Sequence, residues 1–226
     1  MLLGARQFFE RRGAPAIPTA RDYVQNGLIA MWDGIENAGW GVHDPNATVW
    51  KDLIGSSDLS MTGRVIGNNF VGSRAGSPNV DVHPGYCHTW EIVQRVNSSE
   101  AGVTAPFTRV GPYTATGKYS TTSTMDRFIA RLFNWQSYYS VDSVPFIRHI
   151  AMTGDGTTIS RYFDGQLSNQ NSSTAAPSSD VFSLRELSGA SGFSVDFMVI
   201  RLYSRALTAD EIAHNYAIDK ARFRLP

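Results

Sequence analysis

The 226-residue chain is 42% hydrophobic and 18% charged, with 20 Gly, 10 Pro and 12% aromatic residues, which indicates a folded protein rich in strands and turns and excludes a disordered one. Twenty basic and twenty acidic residues leave no net charge, so nucleic acid is not an expected partner. Cys87 is the only cysteine, which excludes an intrachain disulfide and a thiolate metal cage.

The N-terminal segment MLLGARQFFERRGAPAIPTA is predicted to be an arm and linker over residues 1–24. Its apolar run is very short and precedes the arginines, the reverse of a secretory signal. No apolar run anywhere reaches the roughly eighteen residues of a membrane span, so none is predicted. We expect residues 1–19 to stay outside the folded domain and to contact other protein chains. The apolar side chains available for that contact are Leu2, Leu3, Phe8 and Phe9.

Residues 25–226 are predicted to form one all-β domain, because short alternating or apolar runs are separated by Gly, Pro, Asn and Ser. The segment RHIAMTGDGTTISRYFDGQLSNQ contains two Asp-Gly pairs, at Asp155-Gly156 and Asp164-Gly165, that favour tight hairpin turns. Alternation around them predicts an antiparallel meander with one buried face and one face in water. Three tryptophans in alternating runs are assigned to the core, namely Trp32, Trp50 and Trp90.

One helix is predicted at the C-terminus, in LTADEIAHNYAIDKAR. Thr208 and Glu211 have the spacing of a capping box, and Leu207 and Ile212 that of a hydrophobic staple. Apolar residues at three- and four-residue spacing predict one face packed down, closing an open end of the fold. The residues of that face are Ile212, Ala213, Tyr216 and Ala217.

The segments GLIAMWDGIENAG, VWKDLIGSSDL, the meander and DFMVIRLYSRALTADEIAHNYAIDKARF together resemble the laminin-G-like branch of the concanavalin A-like lectin and glucanase superfamily. The resemblance covers residues 25–223 and implies an antiparallel jelly-roll sandwich. Sequences that begin in this way also resemble proteins of gut bacterial mobile elements and phages. One sandwich hosts many functions, so the resemblance implies a fold more specifically than a ligand.

Catalytic and metal patterns are weak in this sequence. The glucanase branch carries its catalytic carboxylates as Glu-x-Asp-x-x-Glu on one strand. Here Glu91 and Glu100 have no acid between them. Asp33 and Glu36 are three positions apart, a spacing that does not place two side chains on the same face of a strand. No enzyme activity is therefore predicted. The segment VDVHPGYCH gathers potential zinc ligands, but we interpret it as a loop entering a strand with Cys87 as a small apolar residue. No cofactor is predicted; the resemblance leaves calcium open, with no ligand identified.

Aromatic residues in two loop segments are the candidate binding residues. NAGWGVHDPN and NWQSYYS place aromatic rings beside polar groups, which suit the faces and hydroxyls of sugar rings. The alternative is that half or more of these rings are packing residues. The candidates are Trp40, His43, Asp44, Trp135, Tyr138 and Tyr139.

Three classes of function compete: a glycan-binding or adhesion module, a structural or assembly protein of a larger particle, and a glycosidase. We expect the first, with a glycan or host-surface polysaccharide as ligand, and hold the second as the alternative. The expected location is a virion or a cell exterior reached without a classical signal peptide, or otherwise the cytoplasm before assembly.

Overall fold

The computed structural model describes residues 16–74, 76–98, 105–118, 126–141, 145–185 and 194–226. These residues form two antiparallel sheets packed face to face, with a helix near the C-terminus. The predicted all-β sandwich is therefore confirmed. The predicted arm up to residue 15 lies outside the described residues.

The first half of the described chain contains β1 (Leu28–Asp33), β2 (Val49–Trp50), β3 (Leu59–Ser60), β4 (Val65–Gly67), β5 (Phe70–Arg74), β6 (Val80–Val82), β7 (Thr89–Ser98) and β8 (Ala105–Val110). The second half contains β9 (Tyr113–Lys118), β10 (Asp126–Leu132), β11 (Trp135–Val141), β12 (Phe146–Gly154), β13 (Thr158–Phe163), β14 (Gln166–Ser172), β15 (Phe182–Leu184), β16 (Ser194–Tyr203) and the helix α1 (Ala209–Phe223). A 3₁₀ turn, Ala20–Asp22, precedes β1.

The larger sheet has the order β14-β13-β12-β7-β16-β5-β4, and β1 also pairs with β16. The smaller sheet has the order β11-β10-β9-β8-β15-β6, and β2 pairs with β3 separately. In this arrangement β14 and β11 are edge strands of different sheets. β7, β12 and β16 lie in the middle of the larger sheet.

The main core lies between the sheets. Trp32, Trp50 and Trp90 are fully buried there, which confirms their predicted role. Trp32 stacks on Phe182 of the smaller sheet, with ring centroids 5.0 Å apart. Aromatic rings from both sheets therefore hold the two layers together.

The predicted meander is present as β12, β13 and β14. At the second turn Asp164 and Gly165 have φ of 49° and 76°, the left-handed values of a type I′ hairpin. A side chain at Gly165 would collide with Tyr216 of α1, so the turn also needs a glycine for packing. The expectation of one wet face is wrong for the middle strands, because His149 and Ala151 on the outer face of β12 are fully buried.

The helix α1 buries that outer face. Its start agrees with the prediction: the Thr208 hydroxyl accepts from the Glu211 backbone N–H at 3.3 Å, and the Glu211 carboxylate accepts from the Thr208 N–H at 2.9 Å. Its position differs, because it covers the outer face of the larger sheet and not an open end. Its buried face also differs, since Ala217 is exposed. The buried residues are Ile212, Asn215, Ile218, Asp219, Arg222 and Phe223.

In the described part of the chain, no helix has the length and apolarity needed to cross a membrane.

A fully buried charge network joins α1 to the sheet. The Arg201 guanidinium donates to Glu91 at 2.9 Å and, through both Nη atoms, to Asp219 at 2.8 and 2.7 Å. Burial acts to raise the pKa of Glu91, but the Arg201 charge and hydrogen bonds hold that pKa below its ordinary value. Asn215 donates to the same Glu91 carboxylate at 2.7 Å. His149 lies within the network, with Nε2 3.4 Å from Glu91 Oε1.

Part of the predicted linker belongs to the folded domain. Ala20 and Tyr23 are buried, and the Tyr23 hydroxyl donates to Asp219 at 2.7 Å. The Tyr23 ring also lies 4.1 Å from the Arg201 guanidinium. Packing against the sheet therefore begins before residue 25, the boundary predicted from the sequence.

We expect Thr208→Ala to lower the free energy of unfolding by about 1 kcal/mol, because the first turn of α1 loses its cap. Urea denaturation of the variant and of Thr208→Ser, which keeps the hydroxyl, measures this. Equal midpoints for the alanine and serine variants would contradict the role of the cap.

We expect Arg201→Met to lower the free energy of unfolding by about 3–5 kcal/mol, because it leaves two carboxylates buried without their counter-ion. The loss should shrink as the pH falls from neutral towards 5, since the freed Glu91 carboxyl then has a raised pKa and takes up a proton in the folded state. Denaturation across this pH range measures both effects.

The control is Lys51→Met, which breaks the exposed Lys51–Asp58 ion pair and should cost at most about 1 kcal/mol. A similar cost for the two variants would show that Arg201 does not support the outer layer.

Candidate functional site

The edge strands β11 and β14 lie side by side where the two sheets meet. Ser173, just after β14, donates to the Asn134 amide oxygen at 3.2 Å, just before β11. Further along, the Asn169 amide approaches the Ser137 hydroxyl at 3.5 Å. All seven residues of β14 are exposed. The side of the sandwich is therefore a polar seam between two sheet edges, which we call the β11–β14 seam.

A groove with a volume of about 400 Å³ opens at one end of this seam. Trp135 forms its aromatic wall and is half-buried, since part of its ring packs on the main core. The other lining residues carry amides and hydroxyls and no charge. They are Asn134, Thr157 and residues 171–174.

The hairpin between β10 and β11 fixes Trp135. Leu132 pairs with Trp135, so the turn has only two residues, and Phe133 adopts φ of 52°. The Phe133 ring is buried against Gly154, where an added Cβ would lie 2.6 Å from it. A side chain at position 154 would therefore displace the turn that presents Trp135.

The first Asp-Gly turn places the opposite wall of the groove. Asp155 Oδ1 accepts from both the hydroxyl and the backbone N–H of Thr157, each at 2.8 Å, and from the Thr158 N–H at 2.7 Å. The Thr157 hydroxyl, followed by these backbone donors, lowers the pKa of Asp155. Thr157 is thereby held in one orientation beside the groove.

The predicted cluster on β11 divides between the two faces of that strand. Trp135 lines the groove, whereas Tyr138 is 40% exposed on the opposite face and its hydroxyl accepts from Gln136 at 2.8 Å. Tyr139 is buried, contacts Phe163 edge-on at 4.8 Å, and has a pKa raised by burial. Tyr139 is therefore a packing residue, which corrects its assignment as a surface contact.

The other predicted cluster lies in the loop after β1, on the side of the sheet that α1 covers. Trp40 is half-buried in that outer layer, with the Arg21 guanidinium 4.1 Å from its ring. His43 is exposed, and its Nδ1 lies 3.2 Å from the Ile35 carbonyl. The Asp44 backbone is bonded on both sides to the Asn37 amide. The structure does not bring these residues together with Trp135.

The polar wall of the groove was not identified from the sequence. Residues 166–172 form β14 and residues 171–174 line the groove, whereas none of them is among the candidate binding residues from the sequence. A signal was present: this Asn- and Ser-rich stretch follows the second Asp-Gly turn, where a hairpin partner strand is expected.

The histidines and acids of VDVHPGYCH are dispersed in the structure. His83 faces Asp180 at 3.2 Å, while Asp81 lies 3.7 Å from Arg185. Cys87 is buried in the main core, and burial raises its pKa to about 12. Within the described ranges, no group of three or more His, Cys, Asp or Glu residues is arranged to hold a metal ion.

The neighbouring acids Asp33 and Glu36 are both buried and share the guanidinium of Arg222, at 2.7 and 3.2 Å. Burial, only partly opposed by Arg222, raises the pKa of Asp33 to about 6. A perturbed pKa often marks a functional site, but here it follows from structural pairing beneath α1. These acids face the outer layer and not the groove.

Comparison with known proteins gives a family match and a set of similar folds. Residues 113–213 match the laminin-G-type family model described as the concanavalin A-like lectin/glucanases superfamily. No curated protein matches the chain in sequence.

Several solved structures share the fold at low identity. Trypanosoma rangeli sialidase in complex with 2,3-difluorosialic acid is 19% identical with a TM-score of 0.61, over 92% of this chain and 34% of that one. The binding domain of paraclostridial mosquitocidal protein 1 is 14% identical with a TM-score of 0.59, over 84% and 52%. The receptor binding domain of botulinum neurotoxin type G is 12% identical with a TM-score of 0.52, over 68% and 43%.

This chain therefore spans from about a third to about half of those chains, and at such identities the likeness concerns the fold alone. The family match covers β9 to the start of α1, which includes both walls of the groove. The resemblance to the concanavalin A-like lectin and glucanase superfamily seen in the sequence is confirmed by this family match over residues 113–213.

Proposed function

We propose that this protein is a non-catalytic glycan-binding module, and that the glycan lies in the groove beside Trp135. The observation that carries the proposal is the pairing of one half-buried indole with a wall of amides and hydroxyls. The volume of about 400 Å³ is within the usual range for small-ligand sites.

Each wall matches one part of a sugar. The C–H face of a pyranose ring packs on an indole, and its hydroxyls exchange hydrogen bonds with amides such as those of Asn134 and Asn171. Because Trp135 is anchored in the core and Thr157 is held by Asp155, both walls are fixed before the ligand arrives. Pre-organisation of this kind lowers the entropy lost on binding.

The distribution of carboxylates supports a module without hydrolase activity. Most families of glycosidases place two carboxyl groups on either side of the scissile bond, roughly 5 to 10 Å apart. The described residues that line the groove include no carboxylate. Glu91 and Asp219 are instead buried in ion pairs with Arg201. Asp33 and Glu36 are likewise buried in ion pairs with Arg222.

The similar folds support recognition without assigning a ligand. Two of them are the binding domains of toxins, one described as a receptor binding domain. The sialidase is an enzyme, but this chain corresponds to only 34% of it. A host-surface polysaccharide is the ligand class that we favour, with the protein displayed on a virion or a cell exterior.

Binding at a single groove should be weak. A shallow site with one aromatic wall has to overcome the freedom that the sugar loses, so we expect dissociation constants of about 1 mM to 1 μM. Display of several copies would raise the overall affinity without new contacts.

We expect Trp135→Ala to weaken glycan binding at least tenfold, because the stacking surface is lost, and Asn171→Ala to weaken it severalfold through a lost hydrogen bond. A glycan array identifies the ligand and calorimetry measures the two variants. Because Asn171 is exposed, its variant should unfold at the same temperature as the wild type.

The matched control is Tyr86→Ala, which removes an aromatic ring that is 58% exposed and does not line the groove. An equal loss of binding in this control, or release of reducing sugar by the wild type, would contradict the proposal.

A second candidate function is assembly into a larger particle, which one apolar surface near the N-terminus favours. Ile17 is 70% exposed beside an open groove of about 530 Å³. The groove is lined by Ala16, Ile17, Pro18, Thr19, Asp22, His214 and Ile218. Ala16, Ile17 and Pro18 form a continuous apolar stretch along this groove, and an exposed apolar patch favours a protein contact.

We expect deletion of residues 1–15 to change the oligomeric state while leaving the thermal midpoint unchanged, because the buried anchors Ala20 and Tyr23 are retained. Sedimentation velocity and thermal melting of both forms measure this. The same oligomeric state before and after deletion would exclude the arm as an assembly contact, and unfolding of the shorter form would show that the arm belongs to the domain.

A further inference from the structure

Arg161 is a buried arginine that, among the described residues, has no acidic partner. Its side chain is on β13, beneath the β11–β14 seam, and the residue is 6% exposed. It donates to the Ser137 hydroxyl at 2.5 Å, the Tyr138 carbonyl at 3.1 Å and the Ser168 hydroxyl at 3.1 Å. In the part of the chain that is described, no carboxylate pairs with it and its Nε–H has no acceptor. Burial lowers the pKa of Arg161, as expected for an uncompensated charge.

A second guanidinium lies close to the first. Arg161 and Arg148 approach the same ring, that of Phe163, with guanidinium carbons 4.5 and 5.0 Å from its centroid. The acid beside them is the partly exposed Asp164, 3.6 Å from Arg148. The two cations therefore leave a local positive charge in a chain whose net charge is zero.

An unused amide lies next to Arg148. Gln94 of β7 is directly opposite Arg148 in the sheet and is fully buried. It points between the sheets, as do Ile92 and Val96 two positions away on the same strand. Among the described residues, neither its amide oxygen nor its amide nitrogen has a hydrogen-bond partner. Buried polar atoms are rarely left in this state unless water, an ion or a ligand completes them.

Of these groups, Arg161 continues the line of the groove, whereas Arg148 and Gln94 lie at the level six positions along β12 from Gly154, about 20 Å away. Along β11, Ser137 lies two positions beyond Trp135, about 7 Å away. Along β14, Asn169 lies two positions before Asn171 and approaches Ser137. Ser168, which covers one end of the Arg161 guanidinium, is exposed, so that end is one side chain below the surface. A sugar ring against Trp135 would place its neighbour over Arg161.

We infer that Arg161 forms an anion-binding subsite next to the groove, with the Arg148 charge adding to the local positive potential, and that this subsite selects glycans that carry a carboxylate or a sulfate next to the ring on Trp135. Guanidinium groups bind both anions through charge-assisted hydrogen bonds, and the unused Nε–H of Arg161 supplies a further donor. The inference rests on the proposed function, because the same groove holds the rest of the glycan.

The test compares charged and neutral glycans that are otherwise matched, using the full chain and calorimetry. Trigalacturonic acid and its methyl ester differ in the carboxylate charge, and dextran sulfate and dextran differ in the sulfate. We expect at least tenfold tighter binding for the charged member of one pair. The pair that shows the difference identifies which anion is bound.

Arg161→Met should bring the ratio of the affinities for the charged and the neutral glycan close to one. The affinity for the neutral glycan should change less than twofold. Its thermal midpoint should be unchanged or higher, because an unpaired buried charge is replaced by an apolar side chain. Arg148→Met should reduce the ratio by a smaller factor, and it carries the test if Arg161→Met does not fold, whereas Gln94→Leu should leave the ratio unchanged. The control Arg109→Met, on the smaller sheet, should leave the ratio unchanged.

The outcomes separate the subsite from the proposed function. If glycans bind in a manner that depends on Trp135 but charged and neutral members bind equally, the anion subsite is wrong and the proposed function stands. If Arg161→Met loses stability and keeps the ratio, Arg161 only bridges the sheets and the subsite is again wrong. If no glycan binds the wild type, both proposals fall.

Discussion

The buried bidentate pair between Arg201 and Asp219 is the contact on which the outer layer of this protein depends. Arg201 stands in the middle of the larger sheet and is held between Glu91 of the next strand and Asp219 of α1. Tyr23, near the N-terminus, covers the guanidinium and bonds the same Asp219. Removing such charges from water is costly unless every partner is present, so sheet, helix and N-terminal segment form as one unit.

This outer layer also determines where a ligand can bind. The helix and the N-terminal segment cover one face of the middle strands, and the smaller sheet covers the other. The middle strands β7, β12 and β16 are therefore nearly unavailable to solvent. Polar side chains that can reach a ligand remain at the sheet edges, and the groove beside Trp135 lies where two such edges meet.

The sequence was most informative where structure is set by neighbouring residues. The Asp164-Gly165 turn and the Thr208–Glu211 cap depend on residues within four positions, and both were predicted. The covered outer face was not predicted, because charged residues such as Glu91 and Arg201 are usually exposed to solvent. These two can be buried because they pair with each other, although they are 110 positions apart in the chain.

The same limit applies to the candidate site. Alternation shows that Tyr138 and Tyr139 point to opposite faces of β11, but not which face is inward. Only the packing of the two sheets shows that Tyr139 is buried, and that β14 supplies the polar wall opposite Trp135.

The position of β16 in the larger sheet affects the order of folding. β16 is the last of the described strands, yet it pairs with β1, β5 and β7 in the middle of the larger sheet. A ribosome must release the chain from β1 to Tyr203 before these pairings can close, and contacts between such distant segments make folding slow. Until then β7 and β12 expose apolar residues, so the nascent chain depends on protection from aggregation until β16 emerges.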